Sequence, residues 1–448
     1  MAEHIDVFVI GGGTAGNAAS RAVAAEGLSV AVAEPDKVGG TCLWHGCIPK
    51  KALFNSAMAY RDVQHADEFG VLTSGVELDW PSVLAWKWHS QETYAGDQED
   101  LMASRGIRHL TEAARFLSST EVIAGQTVYE PDAIVVATGS HAIIPPIPGA
   151  ELADISDDAL RYPELPESLV IIGAGYIAME FAGIYASFGT AVTVLVRDTV
   201  LTPFDQETVA IAIGELQRLG AVFIRGASVT GITGMAGDLT VEYTADDGVP
   251  RYLPTQRVLM ATGRRANLDD LGLDAAGIER DRNGRPALDS ALRSTNQRVW
   301  FAGDATGLTM LTPIASVHGS HVARSIITGQ PQMVDTSAIP SACFTVPELA
   351  QVGLTEAQAT QRGIVHRVLR GTLEYVGAAI ITDRRTGFIK VVIAEDGTVL
   401  GAHIVGRDAS DLIYTYALAV RTGSTIAQIA ATRAIHPALS EAINWTTG

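Results

Sequence analysis

Apolar and polar positions follow one pattern twice along this chain. Residues 5–10, Ile-Asp-Val-Phe-Val-Ile, are a short run rich in β-branched residues and predict a buried strand. Gly11-Gly12-Gly13-Thr14-Ala15-Gly16 follows, then an alanine-rich helical run to Glu26 and an apolar strand over 29–33 that ends in Glu34. The order recurs at Leu169–Ile172, Gly173-Ala174-Gly175-Tyr176-Ile177-Ala178, a helix to about Phe188 and the strand Ala191–Val196. Strand, GxGxxG, helix and strand together are the pattern of a dinucleotide-binding unit. Its glycines let the backbone approach a pyrophosphate at the helix N-terminus, and a carboxylate after the second strand takes the ribose hydroxyls.

The two units differ where that carboxylate belongs. The first has Glu34, whereas the second has Val196 followed by Arg197. A carboxylate repels a 2′-phosphate and an arginine pairs with it, so Arg197 favours NADP over NAD, unless it is an ordinary solvated strand end. Two units predict one tightly held and one exchanging dinucleotide. Strand-like 134–137 runs into Thr138-Gly139 and 258–261 into Thr262-Gly263, which read as paired crossings between domains, and proline-rich 143–149 reads as a linker. Residues 300–307 form another strand-to-turn with Asp304 at its tip. Beyond about residue 331, strands at 387–394 and 400–405 and a helix near 410–421 predict an α+β domain. The expected fold is α/β, with two Rossmann-like domains and a C-terminal α+β domain. The expected boundaries are 1–148, 149–264, 265–330 and 331–448.

Charge and composition narrow the partners. A net charge of −18 argues against nucleic acid and anionic membrane as partners. No apolar run reaches the roughly 18 residues of a membrane span. No basic and apolar leader precedes the first strand, which favours the cytoplasm.

The chemistry concentrates in residues 39–51, Gly-Gly-Thr-Cys-Leu-Trp-His-Gly-Cys-Ile-Pro-Lys-Lys. This stretch holds Cys42 and Cys47, two of three cysteines, and Lys50 and Lys51, two of five lysines. In a regular helix, positions five apart leave their Cα atoms about 8–9 Å apart. A disulfide needs about 4.4–6.8 Å. A bridge therefore requires a broken turn, which Gly46 and Pro49 permit. The expected role is a reducible redox pair. The competing readings are two packed small hydrophobes, or a zinc half-site that lacks a second pair of ligands.

At this point the chain resembles the FAD-dependent pyridine nucleotide–disulfide oxidoreductases. The resemblance rests on GGTC-x4-C-x-P from Gly39, on Gly303-Asp304, and on His436-Pro437-Ala438-Leu439-Ser440-Glu441. The double lysine, GAGYIA-x-E ending at Glu180, and Leu311-Thr312-Pro313-Ile314-Ala315 point to the glutathione and trypanothione reductase branch. The resemblance implies that electrons pass from NADPH through FAD to a Cys42–Cys47 disulfide and on to a small-molecule disulfide. Cys47 would be the thiolate facing the flavin and Cys42 the interchange thiol. His436 would be the acid–base catalyst, oriented by Glu441 and supplied by the other subunit of a homodimer. Lys50 and Glu180 would pair beside the flavin, and Tyr176 would gate the nicotinamide pocket. The cofactor-binding residues implied are Gly11, Gly13, Gly16, Glu34, Thr41, Lys50, Thr138, Gly139, Gly173, Gly175, Tyr176, Arg197, Gly263, Asp304 and Thr312. No metal is implied.

Several positions depart from the family pattern. Trp44 and His45 stand between the cysteines where the family usually has Asn and Val, and His45 is expected to face solvent. Ser320 replaces an arginine that binds a glutathione carboxylate, while Arg21 retains the other one. No cysteine lies near the C-terminus, which sets aside mercuric reductase and the large thioredoxin reductases. Cys343 is expected to be a buried small hydrophobe, and the aromatics of 80–96 to be helix packing. The rival activities are an NAD-linked dihydrolipoamide dehydrogenase, a metal-ion or quinone reductase, and a redox-sensing flavoprotein without turnover.

Overall fold

The computed structural model describes residues 2–446, which divide into two compact units. The first unit comprises residues 1–52, 82–143 and 264–336. Its centre is a parallel arrangement in which β1 (Glu3–Ile10) lies between β2 (Val30–Ala33) and β3 (Thr127–Val136). Val7 stands opposite Val30 on one side and Ala133 on the other. These strands are apolar on both faces: Val7, Val9 and Val32 pack against helix residues such as Ala19 and Val23, while Phe8 and Ile10 pack against strand and loop residues such as Phe116, Leu271 and Leu273. Helix α1 (Thr14–Ala25) connects β1 to β2 and buries its Ala15, Ala19 and Val23 face. Short α2 (Gly40–Trp44), then α3 (Cys47–Gln64) and α4 (Trp80–Ser104) follow.

The second unit comprises residues 53–81, 144–263 and 337–448. Here β4 (Ser168–Ile172), α5 (Tyr176–Ser187) and β5 (Ala191–Val196) repeat the β1–α1–β2 order. β6 (Val222–Arg225) and β7 (Arg257–Met260) complete a four-stranded parallel sheet in the order β6-β5-β4-β7. A three-stranded antiparallel sheet over 228–255, which the sequence reading does not assign, inserts before β7. A five-stranded antiparallel sheet from 341 to 405 and the helix Ala409–Thr422 form the C-terminal α+β part. Buried Lys390 ties that sheet to the helix Gln206–Arg218 through Asp205, at 2.9 Å, and through Glu207. Among the described residues, no helix is long and apolar enough to cross a membrane.

Back in the first unit, β8 (Val299–Phe301) pairs with β3 and leads into α6 (Thr312–Thr328). Helix α6 lies directly on α1. A Cβ built at Gly319 would stand 2.2 Å from the Ala15 carbonyl oxygen, so only glycine permits this approach. Gly319→Ala must therefore push the helices apart, an overpacking cost of about 1–3 kcal/mol. The expected outcome is a lower thermal midpoint, read by circular dichroism during heating. An unchanged midpoint would contradict the close contact.

Candidate active site

The first glycine loop is shaped by backbone proximity. Gly11 has φ +107°, and a Cβ on it would lie 2.3 Å from the Ala137 carbonyl oxygen. Gly16 has no room either, since its Cβ would meet the Gly11 carbonyl oxygen. Gly13 caps α1 without any side-chain acceptor, and no acidic residue sits in the first turn. The first N–H groups of α1 are thus left for an anion, which fits a pyrophosphate. Glu34 stands at the loop and accepts from the Gly12 and Asp36 amides at 2.8 and 3.1 Å. Asp304 accepts the Ser140 hydroxyl at 2.6 Å, and Arg264 donates to that same hydroxyl. The Thr138 hydroxyl donates to the Asn267 carbonyl at 2.7 Å, and the Thr138 and Gly139 carbonyls both accept from Asn267, so this turn is tied to Asn267.

The second loop reproduces this geometry. Gly173 has φ +124°, and its Cβ would lie 2.2 Å from the Ala261 carbonyl oxygen. Gly175 caps α5, again with no side-chain acceptor and no acidic first turn, and Gly263 also has a positive φ. Both loops suit a dinucleotide pyrophosphate by the same donor set. Tyr176 opens α5 and is half-buried. Val196 ends β5 in the core, and exposed Arg197 pairs with Asp198 at 2.8 Å.

Cys42 lies in α2 and Cys47 opens α3, with the helix broken over His45 and Gly46. That is the broken turn the spacing demands, and both cysteines are reduced here. Cys47 Sγ is 3.0 Å from the Thr312 hydroxyl at the first turn of α6. The S–H of Cys47, helped by Thr312, Thr14 and the Lys50 charge, lowers the Cys42 thiol to about 6. The Cys47 thiol, although exposed, is pushed up by its hydrogen-bonded neighbour Cys42. The pair therefore holds one thiolate and one proton near neutrality, at the N-termini of α1 and α6. Thr14 carries no sequence signal for this contact beyond its place in the glycine loop. Thr312, expected among the cofactor contacts, sits against sulfur, and Thr41 is exposed.

The remaining predicted residues fall as follows. Lys50 is buried in the first turn of α3. Glu180 is buried in α5 and accepts the Phe344 amide at 3.0 Å. In the second unit His436 Nδ1 donates to Glu441 Oε1 at 2.8 Å, and Glu441 Oε2 accepts the Ala438 amide. These contacts hold the Glu441 carboxyl below its usual range, the His436 hydrogen bond contributing most. The imidazole side chain is 78% exposed. Cys343 is fully buried, its S–H 3.8 Å from the Tyr176 carbonyl oxygen.

Two expectations change in part. His45 is half-buried, with Nε2 3.5 Å from Asp36, because the short turn folds it back on the preceding loop. Arg21 donates to Gln98 on α4. Among the aromatics of 80–96, Trp80 packs against Tyr185 and Phe188, but Trp86 and Tyr94 are exposed.

Comparison with known proteins agrees with this geometry. The family described as pyridine nucleotide-disulphide oxidoreductase matches residues 5–319, and its dimerisation domain matches residues 339–447. A dihydrolipoyl dehydrogenase of Halobacterium salinarum is 34% identical over 98% of this chain and 94% of its own length. One from Geobacillus stearothermophilus is 33% identical over 98% and 95%. A glutathione reductase of Burkholderia cepacia is 32% identical over 97% of both chains. The chain thus belongs to the class I pyridine nucleotide-disulphide oxidoreductases, flavoenzymes that use FAD and a pyridine nucleotide and carry a dimerisation domain.

Proposed function

We propose that this enzyme uses NADPH to reduce a small-molecule disulfide through the Cys42–Cys47 pair, as a cytoplasmic homodimer. The observation that carries the reading is the cysteine pair itself, set on either side of a broken helical turn with Cys47 Sγ 3.0 Å from the Thr312 hydroxyl. In this reading residues 1–148 and 265–330 hold FAD, 149–264 hold NADPH, and 331–448 join two subunits. FAD, when bound, relays the electron pair of NADPH to the Cys42–Cys47 disulfide, whose S–S bond breaks. Lys50 and Glu180 both serve that cofactor, and Tyr176 gates the nicotinamide side.

The thiol half follows from the residues present. The Cys42 thiolate attacks one sulfur of the substrate, and the first product thiol leaves as its sulfur takes the proton carried on His436 Nε2. Glu441 stabilises the imidazolium and fixes its tautomer. His436, now neutral, takes the Cys47 proton; the Cys47 thiolate attacks Cys42 Sγ, and the second product sulfur leaves with that proton from His436 Nε2, restoring the disulfide. The net change is NADPH, a proton and a disulfide going to NADP and two thiols.

Dihydrolipoamide oxidation with NAD is the second reading, favoured by the names of the relatives at 33–34% identity. The glutathione reductase at 32% is scarcely further, so identity does not separate the two. Val196 in place of an acid, with Arg197 next to it, favours NADPH. Ser320 in place of a carboxylate-binding arginine favours a disulfide other than plain glutathione.

Coenzyme preference tests the choice. Parent enzyme is expected to favour NADPH, and Arg197→Ala to raise its KM by about ten- to a hundredfold, the worth of one charge-assisted hydrogen bond. A parent preference for NAD by more than about tenfold would overturn the reading. Alkylation tests the thiolate. In dithiothreitol-reduced enzyme, iodoacetamide is expected to label Cys42 with a midpoint near pH 6, the thiolate being present above it and lost below. A midpoint at the ordinary thiol value would contradict the shared-proton pair.

A further inference from the structure

We propose that Gln91 and Trp44 are positioning residues that clamp the turn between the two cysteines and thereby set the dithiol–disulfide equilibrium. The inference rests on the reading of Cys42 and Cys47 as the redox pair. Helix α2 ends at Trp44, so the carbonyls of Leu43 and Trp44 have no helical partners of their own. Both are taken by one side chain. Gln91 Nε2, on fully buried α4 residue Gln91, donates to Leu43 O at 3.0 Å and to Trp44 O at 3.1 Å. Its Oε1 is buried with no hydrogen-bond partner. The amide is thus oriented wholly by the two carbonyls, since the flipped form would set oxygen against oxygen.

Trp44 is held from the other side. Its indole N–H donates to Val38 O at 2.9 Å, and the Lys37 ammonium lies 4.2 Å from the ring centroid. His45 reaches Asp36 from the same turn. The two residues that depart from the family pattern between the cysteines are therefore anchored to one loop, residues 36–38. Leu43 and Trp44 also pack with Ile48 and Ala95.

The consequence is thermodynamic. A turn that keeps one conformation in both redox states holds the sulfurs adjacent after reduction, so their effective concentration stays high. A released turn gains conformational freedom only as the dithiol, because the disulfide closes it. The clamp therefore favours the disulfide and makes the reduced pair a stronger reductant toward its substrate.

The test uses FAD-loaded enzyme and two variants, Gln91→Leu and Trp44→Phe, which remove the donors and keep apolar bulk. Parent and variants are equilibrated anaerobically in mixtures of reduced and oxidised dithiothreitol. They are then trapped with N-ethylmaleimide and scored by mass for modified Cys42 and Cys47. Each variant is expected to lower the disulfide-forming equilibrium constant about tenfold, a potential about 30 mV more positive. KM for NADPH is expected to stay unchanged. If either variant retains FAD yet keeps a constant within about twofold of the parent, the clamp is refuted, about 9 mV being the corresponding bound. If neither retains FAD, the same measurement on Gln91→Met decides by the same criterion, and its failure to retain FAD also counts against a purely positioning role. A parent with no such couple overturns the redox-pair reading itself, an outcome distinct from failure of the clamp.

Discussion

The close approach of α1 and α6 is the constraint on which the cysteine chemistry depends. Gly319 lets α6 rest on the Ala15 carbonyl, and Gly303 fits between the methyl groups of Ala15 and Ala315. With the two helices at that distance, their N-termini and the hydroxyls of Thr14 and Thr312 converge on the sulfurs. Positive helix ends, hydroxyl donors and the buried Lys50 ammonium all favour a thiolate over a thiol. The low Cys42 value is thus a consequence of helix packing as much as of local sequence.

The same logic built both glycine loops. Gly11 and Gly173 take left-handed φ values because each lies against a carbonyl oxygen, of Ala137 and of Ala261 respectively. Those carbonyls end the strands that lead into Thr138-Gly139 and Thr262-Gly263. The chain therefore uses one solution twice, with an uncapped helix presented to a pyrophosphate each time. The units differ at the end of the second strand, with Glu34 in the first and Val196-Arg197 in the second.

Legibility followed from how local each constraint is. The β1–α1–β2 and β4–α5–β5 units were readable because apolar runs, glycines and strand ends fall within about thirty residues. The break between α2 and α3 was readable because disulfide geometry forbids a continuous helix there. His436 and Glu441 meet because five residues separate them at the start of a helix, a spacing visible in the sequence. The antiparallel sheet over 228–255 was not readable, since its short strands carry mixed polarity and its partners are set by tertiary packing. Gln91 was invisible for a different reason. Its bonds are to backbone carbonyls some 48 residues away, and carbonyls leave no mark in a sequence. The contact of His45 with Asp36 was not readable either, because it is made only by the fold of the loop.

In the proposed function these features serve a relay in which electrons arrive as a pair and leave through one activated sulfur. The most direct test is anaerobic addition of stoichiometric NADPH to the FAD-containing enzyme. Absorption beyond the flavin band is followed, and then the cysteines are alkylated and assigned by mass. The account predicts that a long-wavelength thiolate–flavin absorption appears and that Cys42 and Cys47 both become alkylatable. Bleaching of the flavin without that absorption, with the Cys42–Cys47 disulfide intact, would contradict it.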